Sequence, residues 1–287
     1  MKDNPGSQEK KKMHRRQRIR MLWVLYGIVC ISLLFSLYSH LWYHRSAAAT
    51  LAETDLRIIL RKQDQDELSQ KLQELLEQGK TDYQIPDYIQ LKSDITQTDF
   101  QHGLQQMQIF TLEATDQSET AEVLIYYLHG GSYLDEPNPF HWRMLDQLAQ
   151  DLGATVIVPD YPMIPFDTAD SSYPLVLAHY TQTVRDNPDK QIVLMGDSAG
   201  GGYALGLTAF FEGLATIPMD FSTYQLYTPK IRLDYLPDQL VLLSPWVDVS
   251  MDNPEIDAFE AIDPMLKRDQ LRLCGRLWAS GRGMDDP

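Results

Sequence analysis

Residues 191–202 read QIVLMGDSAGGG, and this stretch decides the fold. Its first five residues are a short apolar run of the kind that fills a buried strand. The remainder, GDSAGGG, is dense in small residues. Where a strand turns directly into a helix, the two backbones approach so closely that a Cβ atom would clash, and glycines collect there. Gly196-Asp197-Ser198-Ala199-Gly200 therefore predicts a tight strand–turn–helix corner with the Ser198 hydroxyl held out at its apex. A Gly-rich turn can instead cradle a phosphate at a helix N-terminus. Neither G-x-x-x-x-G-K-[ST] nor G-x-G-x-x-G occurs here, so the nucleophile reading takes precedence.

A second motif lies 69 residues upstream: His129-Gly130-Gly131-Ser132-Tyr133, directly after the apolar run Val123–Leu128 (VLIYYL). In acyl transfer the attacked carbonyl oxygen becomes negative, and removing one preorganised N–H donor for it costs about 2.7–4 kcal/mol of barrier. Paired glycines let the chain curl so that successive amides face one point. The expected donors are the amides of Gly130, Gly131 and Ala199.

The surrounding pattern fits. Met107–Leu112, Val123–Leu128, Ala154–Val158, Gln191–Met195 and Gln239–Leu243 read as strands. Phe140–Leu152, Ser171–Arg185 and Ala199–Leu214 read as helices. Strands alternating with helices predict a mostly parallel sheet with helices on both faces.

On these motifs, from about Val123 onward, the chain resembles the α/β-hydrolase fold, and within it esterases similar to hormone-sensitive lipase. HGGSY stands where the family has an HGG-aromatic loop, often with a third glycine in place of Ser132. GDSAGG is the elbow, and Asp160–Ala169 (DYPMIPFDTA) and Leu243–Asp248 (LSPWVD) match two further segments. The resemblance implies hydrolysis of carboxylic esters through an acyl-enzyme on Ser198. It implies a structural role for Asp248 and an oxyanion-loop role for His129. No metal or organic cofactor is implied. No Cys-x-x-Cys or Cys/His cluster appears, and the two cysteines, Cys30 and Cys274, suggest no disulfide within the polar part of the chain.

One part is missing. In this fold the triad runs Ser, then Asp or Glu, then His. All seven histidines (His14, His40, His44, His102, His129, His141 and His179) precede Ser198. Serine is a weak nucleophile without a base, so the chain as it stands is expected to be inactive. His141 and His179 fall in helical segments and are read as packed or solvated. Asp285 and Asp286 follow no apolar strand. The expectation is a hydrolase domain incomplete at its C-terminus, with acid and base beyond residue 287 and an open sheet edge that promotes aggregation. The alternative is a non-catalytic hydrolase-like binding module, or truncated pseudoenzyme. Peptide or amide cleavage and glycan deacetylation use the same machinery and stay open.

The N-terminal part reads differently. Met21–Tyr43 is an uncharged run of 23 residues, flanked by Trp23, Trp42 and Tyr43. As a helix it spans about 34 Å, enough to cross a bilayer. Eight Lys or Arg against two acidic residues in positions 1–20 predict a cytoplasmic head and an extracytoplasmic body. A cleavable signal peptide ending at Ala47–Ala49 is the rival, but the run exceeds the usual signal-peptide core. The remaining chain has 17 basic and 38 acidic residues, which argues against nucleic acid as a partner. Residues 47–78 read as a helix with Leu68, Leu72, Leu75 and Leu76 on one stripe and Gly79 as its stop. It serves as a stalk, as a short dimerising coil, or as a helix packed on the following domain. The expected division is head 1–20, anchor 21–43, stalk 44–95 and hydrolase domain 96–287.

Overall fold

The computed structural model describes residues 5–59, 65–115, 121–217 and 233–279, with side chains described from residue 21 and not over 55–66. Asp285 and Asp286, the first four residues and part of the polar segment between the first two predicted strands lie outside these spans. The chain divides into two compact units: Met1–Gln63 with Ile262–Met265, and Asp64–Ala261 with Leu266–Pro287.

The first unit contains α1 (Pro5–Tyr43) and α2 (Ala47–Ile59). Within α1 the segment Met21–Tyr43 has a mean hydropathy of 2.1 and is not buried by the protein. A helix apolar on all sides and uncovered by protein has the composition of a bilayer-embedded or signal segment. Ser46 starts α2 by accepting the Ala49 amide at 3.1 Å, a helix N-cap that meets one of the unpaired first-turn donors.

The second unit is built on a six-stranded sheet of order β1-β2-β4-β3-β5-β6. Its strands are β1 (Asp94–His102), β2 (Gln105–Glu113), β3 (Val123–Leu128), β4 (Thr155–Asp160), β5 (Gln191–Asp197) and β6 (Gln239–Leu243). β4, β3, β5 and β6 are parallel, while β1 and β2 add an antiparallel hairpin at one edge. The helices are α3 (Gln65–Gln78), α4 (Pro139–Leu152), α5 (Ala169–Asp186), α6 (Ser198–Phe211), α7 (Ile256–Glu260) and α8 (Arg268–Trp278).

Alternation along the strands sorts two cores. Leu124, Tyr126 and Leu128 of β3 join Ile192 and Leu194 of β5 under α5 and α6. Ile125 and Tyr127 of β3 join Val193 and Met195 of β5 under α4, around the fully buried Trp142. A period of two on strands buried on both faces needs helices on both sides, and they are present.

The segment 47–78 is two helices, with residues 60–64 outside the described spans. On α3, Leu68 and Leu72 are buried and Leu75 packs beside them in the core under α5 and α6, whereas Leu76 is exposed. That is the packed-helix arrangement. Gly79 ends α3 at φ 78°, its amide donating to Leu75 O at 2.9 Å.

Candidate active site

β5 delivers the chain to Asp197, still extended at φ −120° and ψ 149°, and α6 opens at the next residue. Ser198 sits at the corner with φ 49°, a left-handed conformation that a side chain adopts only where its surroundings enforce it. The enforcement is visible on both sides. The Ser198 carbonyl accepts the Trp246 amide at 2.7 Å, which ties the LSPWVD segment to the corner. A Cβ on Gly200 would lie 2.5 Å from His129 O and closer still to Leu128 O. The start of α6 therefore rests directly on the backbone that leads into the glycine loop.

That loop curls through left-handed geometry. Gly131 has φ 130°, and Ser132 and Tyr133 both have φ 58°. The Gly131 carbonyl closes the turn by accepting the amides of Leu134 and Asp135 at 2.9 and 2.8 Å. Tyr133 is buried and stacks on Trp278 of α8 with ring centroids 4.2 Å apart, so the C-terminal helix holds the loop from below.

The loop and the elbow are joined by Asp197, the residue before the serine. Its Oδ1 accepts the Gly130 amide at 2.7 Å and the Tyr127 hydroxyl at 2.5 Å, and its Oδ2 faces His141 Nε2 at 3.3 Å. His141 Nδ1 is itself accepting the Asn138 amide at 3.0 Å, within the capping box that starts α4. With Nδ1 an acceptor, the ring proton is on Nε2 and points at the carboxylate. Burial pushes the Asp197 carboxyl up, but the bonds from His141, Tyr127 and Gly130 outweigh it and hold the group below its ordinary value. Burial and the facing carboxylate drive the Tyr127 hydroxyl far above the usual phenol range.

These contacts change the sequence reading of two residues. Gly130 was expected as an oxyanion donor, but its amide is engaged by Asp197. Among the described residues, the amides of Gly131 and Ser132 make no hydrogen bond in this loop. Ala199 is in the first turn of α6, where amides lack an intrahelical partner. His141, read as packed or solvated, is instead a donor to the elbow. Nothing in its place on α4 announced this beyond its N3 position three residues after Asn138, a capping signature. His129 is fully buried, with Nδ1 on Gly130 O at 2.8 Å, its ring stacked on Tyr161 and its own carbonyl accepting the Tyr161 hydroxyl at 2.6 Å. His179 is packed on α5 with Nδ1 2.9 Å from the Tyr126 hydroxyl. Asp248 accepts Ser250 N and Oγ at 2.9 and 2.6 Å, closing a local turn.

A cavity of about 550 Å³ opens beside Glu136, Asp160 and Lys80, and Ser198 is not among its lining residues.

Residues 125–287 match the α/β-hydrolase fold family. The chain belongs to that family. Among its curated relatives are a triacylglycerol lipase of Mycobacterium tuberculosis, 28% identical over 48% of this chain, and an acetyl-hydrolase of Streptomyces hygroscopicus, 24% identical over 55%. These matches span 28% and 47% of the relatives' own lengths. A crystal structure of a hormone-sensitive lipase from a metagenome library superposes with a TM-score of 0.57 at 22% identity, covering 82% of this chain and 70% of that one. At that identity the structural likeness establishes the hydrolase architecture alone. These relatives are named as a lipase and an acetyl-hydrolase, and the chain spans less than half the length of each.

Proposed function

We propose that this hydrolase cleaves carboxylic esters through Ser198. The observation that carries the reading is the left-handed φ of 49° at Ser198, on a strand–helix corner packed against the His129–Tyr133 loop. In the proposed reaction the Ser198 oxygen bonds to the acyl carbon and the alcohol departs with a proton. Water then attacks the acyl-serine and releases the acid. The amides of Gly131 and Ala199 serve the oxyanion as first expected, and Ser132 takes the place of Gly130, whose amide is committed to Asp197.

No histidine in this chain is assigned as the base. His141 is turned to Asp197, His129 is sealed in the core, and every other histidine also precedes Ser198. Residues 129–199 carry the nucleophile and the oxyanion donors, and a proton acceptor can be added from outside. Exogenous imidazole provides one. The test is hydrolysis of short-chain p-nitrophenyl esters by the full chain in detergent. Rates near background that rise with imidazole, and that fall to background in Ser198→Ala at every imidazole concentration, are expected. A rate indifferent to Ser198→Ala defeats the assignment. The second reading, a hydrolase-like module that binds without reacting, is favoured by the commitment of the Gly130 amide, one of the expected oxyanion donors, to Asp197. It predicts no Ser198-dependent turnover even with imidazole.

We further propose that Met21–Tyr43 anchors the chain in the cell membrane as a single pass, with the basic head in the cytoplasm and the hydrolase unit outside. Its length, its mean hydropathy of 2.1 and the eight basic residues before it support this. Retention in the membrane pellet after alkaline carbonate extraction, with the body digested by protease added to intact cells, is the expected result. Release into the supernatant contradicts it.

A further inference from the structure

Beneath the glycine loop a buried imidazole meets two carboxyl groups that are hydrogen-bonded to each other. A ring nitrogen of His129, a carboxylate oxygen of Glu136 and one of Asp160 all lie within 4.8 Å of one another. His129 is fully buried, and its Nε2 and Asp160 Oδ1 have no hydrogen-bond partner among the described residues. The tautomer of His129 sharpens the point. Its Nδ1 faces the Gly130 carbonyl at 2.8 Å, so Nδ1 carries the proton and Nε2 presents a lone pair. A ring that donates one N–H to a backbone carbonyl while aiming the other nitrogen at carboxylates is oriented as metal-ligating histidines are.

The residues come from three separate places. His129 directly follows β3, Glu136 is in the loop before α4, and Asp160 ends β4. Their sequence spacing resembles no metal motif, which is why the chain alone gave no sign of a site. Glu136 is exposed as a residue while its carboxyl turns inward to Asp160. Lys80, which lines the same cavity, is bound to Asp167 at 2.8 Å. A single proton shared by the two carboxyls relieves their repulsion yet leaves His129 Nε2 without a donor. A divalent cation answers all three acceptors at once.

The size is suitable. Three atoms no more than 4.8 Å apart have a common point within about 2.8 Å of each, and a small closure of side chains reaches the ~2.0–2.2 Å of zinc–nitrogen and zinc–oxygen bonds. One imidazole and two carboxylates form a borderline donor set that suits zinc better than the all-oxygen sites of calcium or magnesium. The adjoining cavity, lined by Glu136 and Asp160, gives an entry path and room for water at a fourth position.

We propose that His129, Glu136 and Asp160 form a zinc-binding site that fastens the glycine loop to the end of β4. The site is distinct from Ser198 and does not rest on the ester-hydrolysis reading. The test uses the full chain in detergent, stripped with chelator and titrated with zinc chloride, with bound metal counted by elemental mass spectrometry and thermal unfolding followed in parallel. One zinc per chain and a raised unfolding midpoint are expected. In Glu136→Gln, affinity falls by about 10-fold or more and the midpoint no longer responds. Glu136→Ala, at the same exposed position, guards against an effect peculiar to the carboxamide. No stoichiometric zinc in the wild type overturns the proposal. So does zinc binding that is equal in both variants, or zinc displaced by millimolar calcium or magnesium.

Discussion

Replacing Asp197 with Asn tests the idea that this side chain couples the elbow to the glycine loop. In the wild type Oδ1 takes two donors, Tyr127 Oη and Gly130 N, and Oδ2 takes the His141 Nε2–H. A carboxamide has one oxygen and one NH2 group. If the oxygen keeps Tyr127 and Gly130, the NH2 faces an N–H that His141 cannot move to its other nitrogen, because Nδ1 is occupied by the Asn138 amide. If the amide flips, Gly130 N–H loses its acceptor. Hydrogen bonds to charged groups contribute about 1.5–3 kcal/mol each, and at least one is lost either way, so a destabilisation of about 2–3 kcal/mol is expected. Tyr127→Phe removes a single donor and should cost about 1.5–3 kcal/mol. Because the two residues touch, the double variant should be less destabilised than the sum, with a coupling of about 1–2 kcal/mol. Urea unfolding of the four proteins, read by circular dichroism and tryptophan fluorescence, measures the cycle. Additive effects, or an Asp197→Asn change below about 0.5 kcal/mol, would refute the proposed coupling.

The same reasoning extends to other positions. Gly200→Ala drives a methyl into the backbone of Leu128 and His129, which cannot move aside as a side chain can, and should destabilise by about 3 kcal/mol or more; an unchanged unfolding midpoint contradicts the close approach. Trp278→Ala removes a buried ring that supports Tyr133 and should cost about 3–5 kcal/mol in the same unfolding assay. One source of acid sensitivity is His179, packed against the Tyr126 hydroxyl and the Phe100 ring, where burial lowers its pKa from 6.5 to about 4, as it does for His129. The unfolded chain takes up this proton first, so stability is complete above pH ~6.5 and falls as pH drops toward 4, by about 3 kcal/mol in all. His179→Gln should flatten that part of the pH–stability curve; an unaltered slope assigns the effect to other groups.

How far the sequence spoke depended on what each element buries. β3 and β5 are legible because their apolar runs VLIYYL and IVLM are buried on both faces, and β6 by its run LVLL, although that strand is only partly covered. β1 was hidden for the opposite reason. DITQTDFQH is exposed along nearly its whole length, and its strand state comes from pairing with β2 at the sheet edge. α8 did carry a signal, with Leu271, Cys274 and Trp278 at i, i+3 and i+7 forming its buried face. The elbow was legible because Gly196 and Gly200 leave no room for any other residue. The role of Asp197 was not, since its partners are scattered over positions 127, 130 and 141 and only the fold gathers them. The convergence of His129, Glu136 and Asp160 was hidden in the same way.

Covalent trapping at the elbow is the most direct test. The full chain, folded in detergent, is treated with a fluorophosphonate with and without imidazole, digested, and mapped by tandem mass spectrometry. One phosphonylated residue, Ser198, is expected, with a yield that rises with imidazole and vanishes on unfolding in urea. A folded protein that stays unmodified at Ser198 while other serines react would show that the hydroxyl at this corner is not the nucleophile.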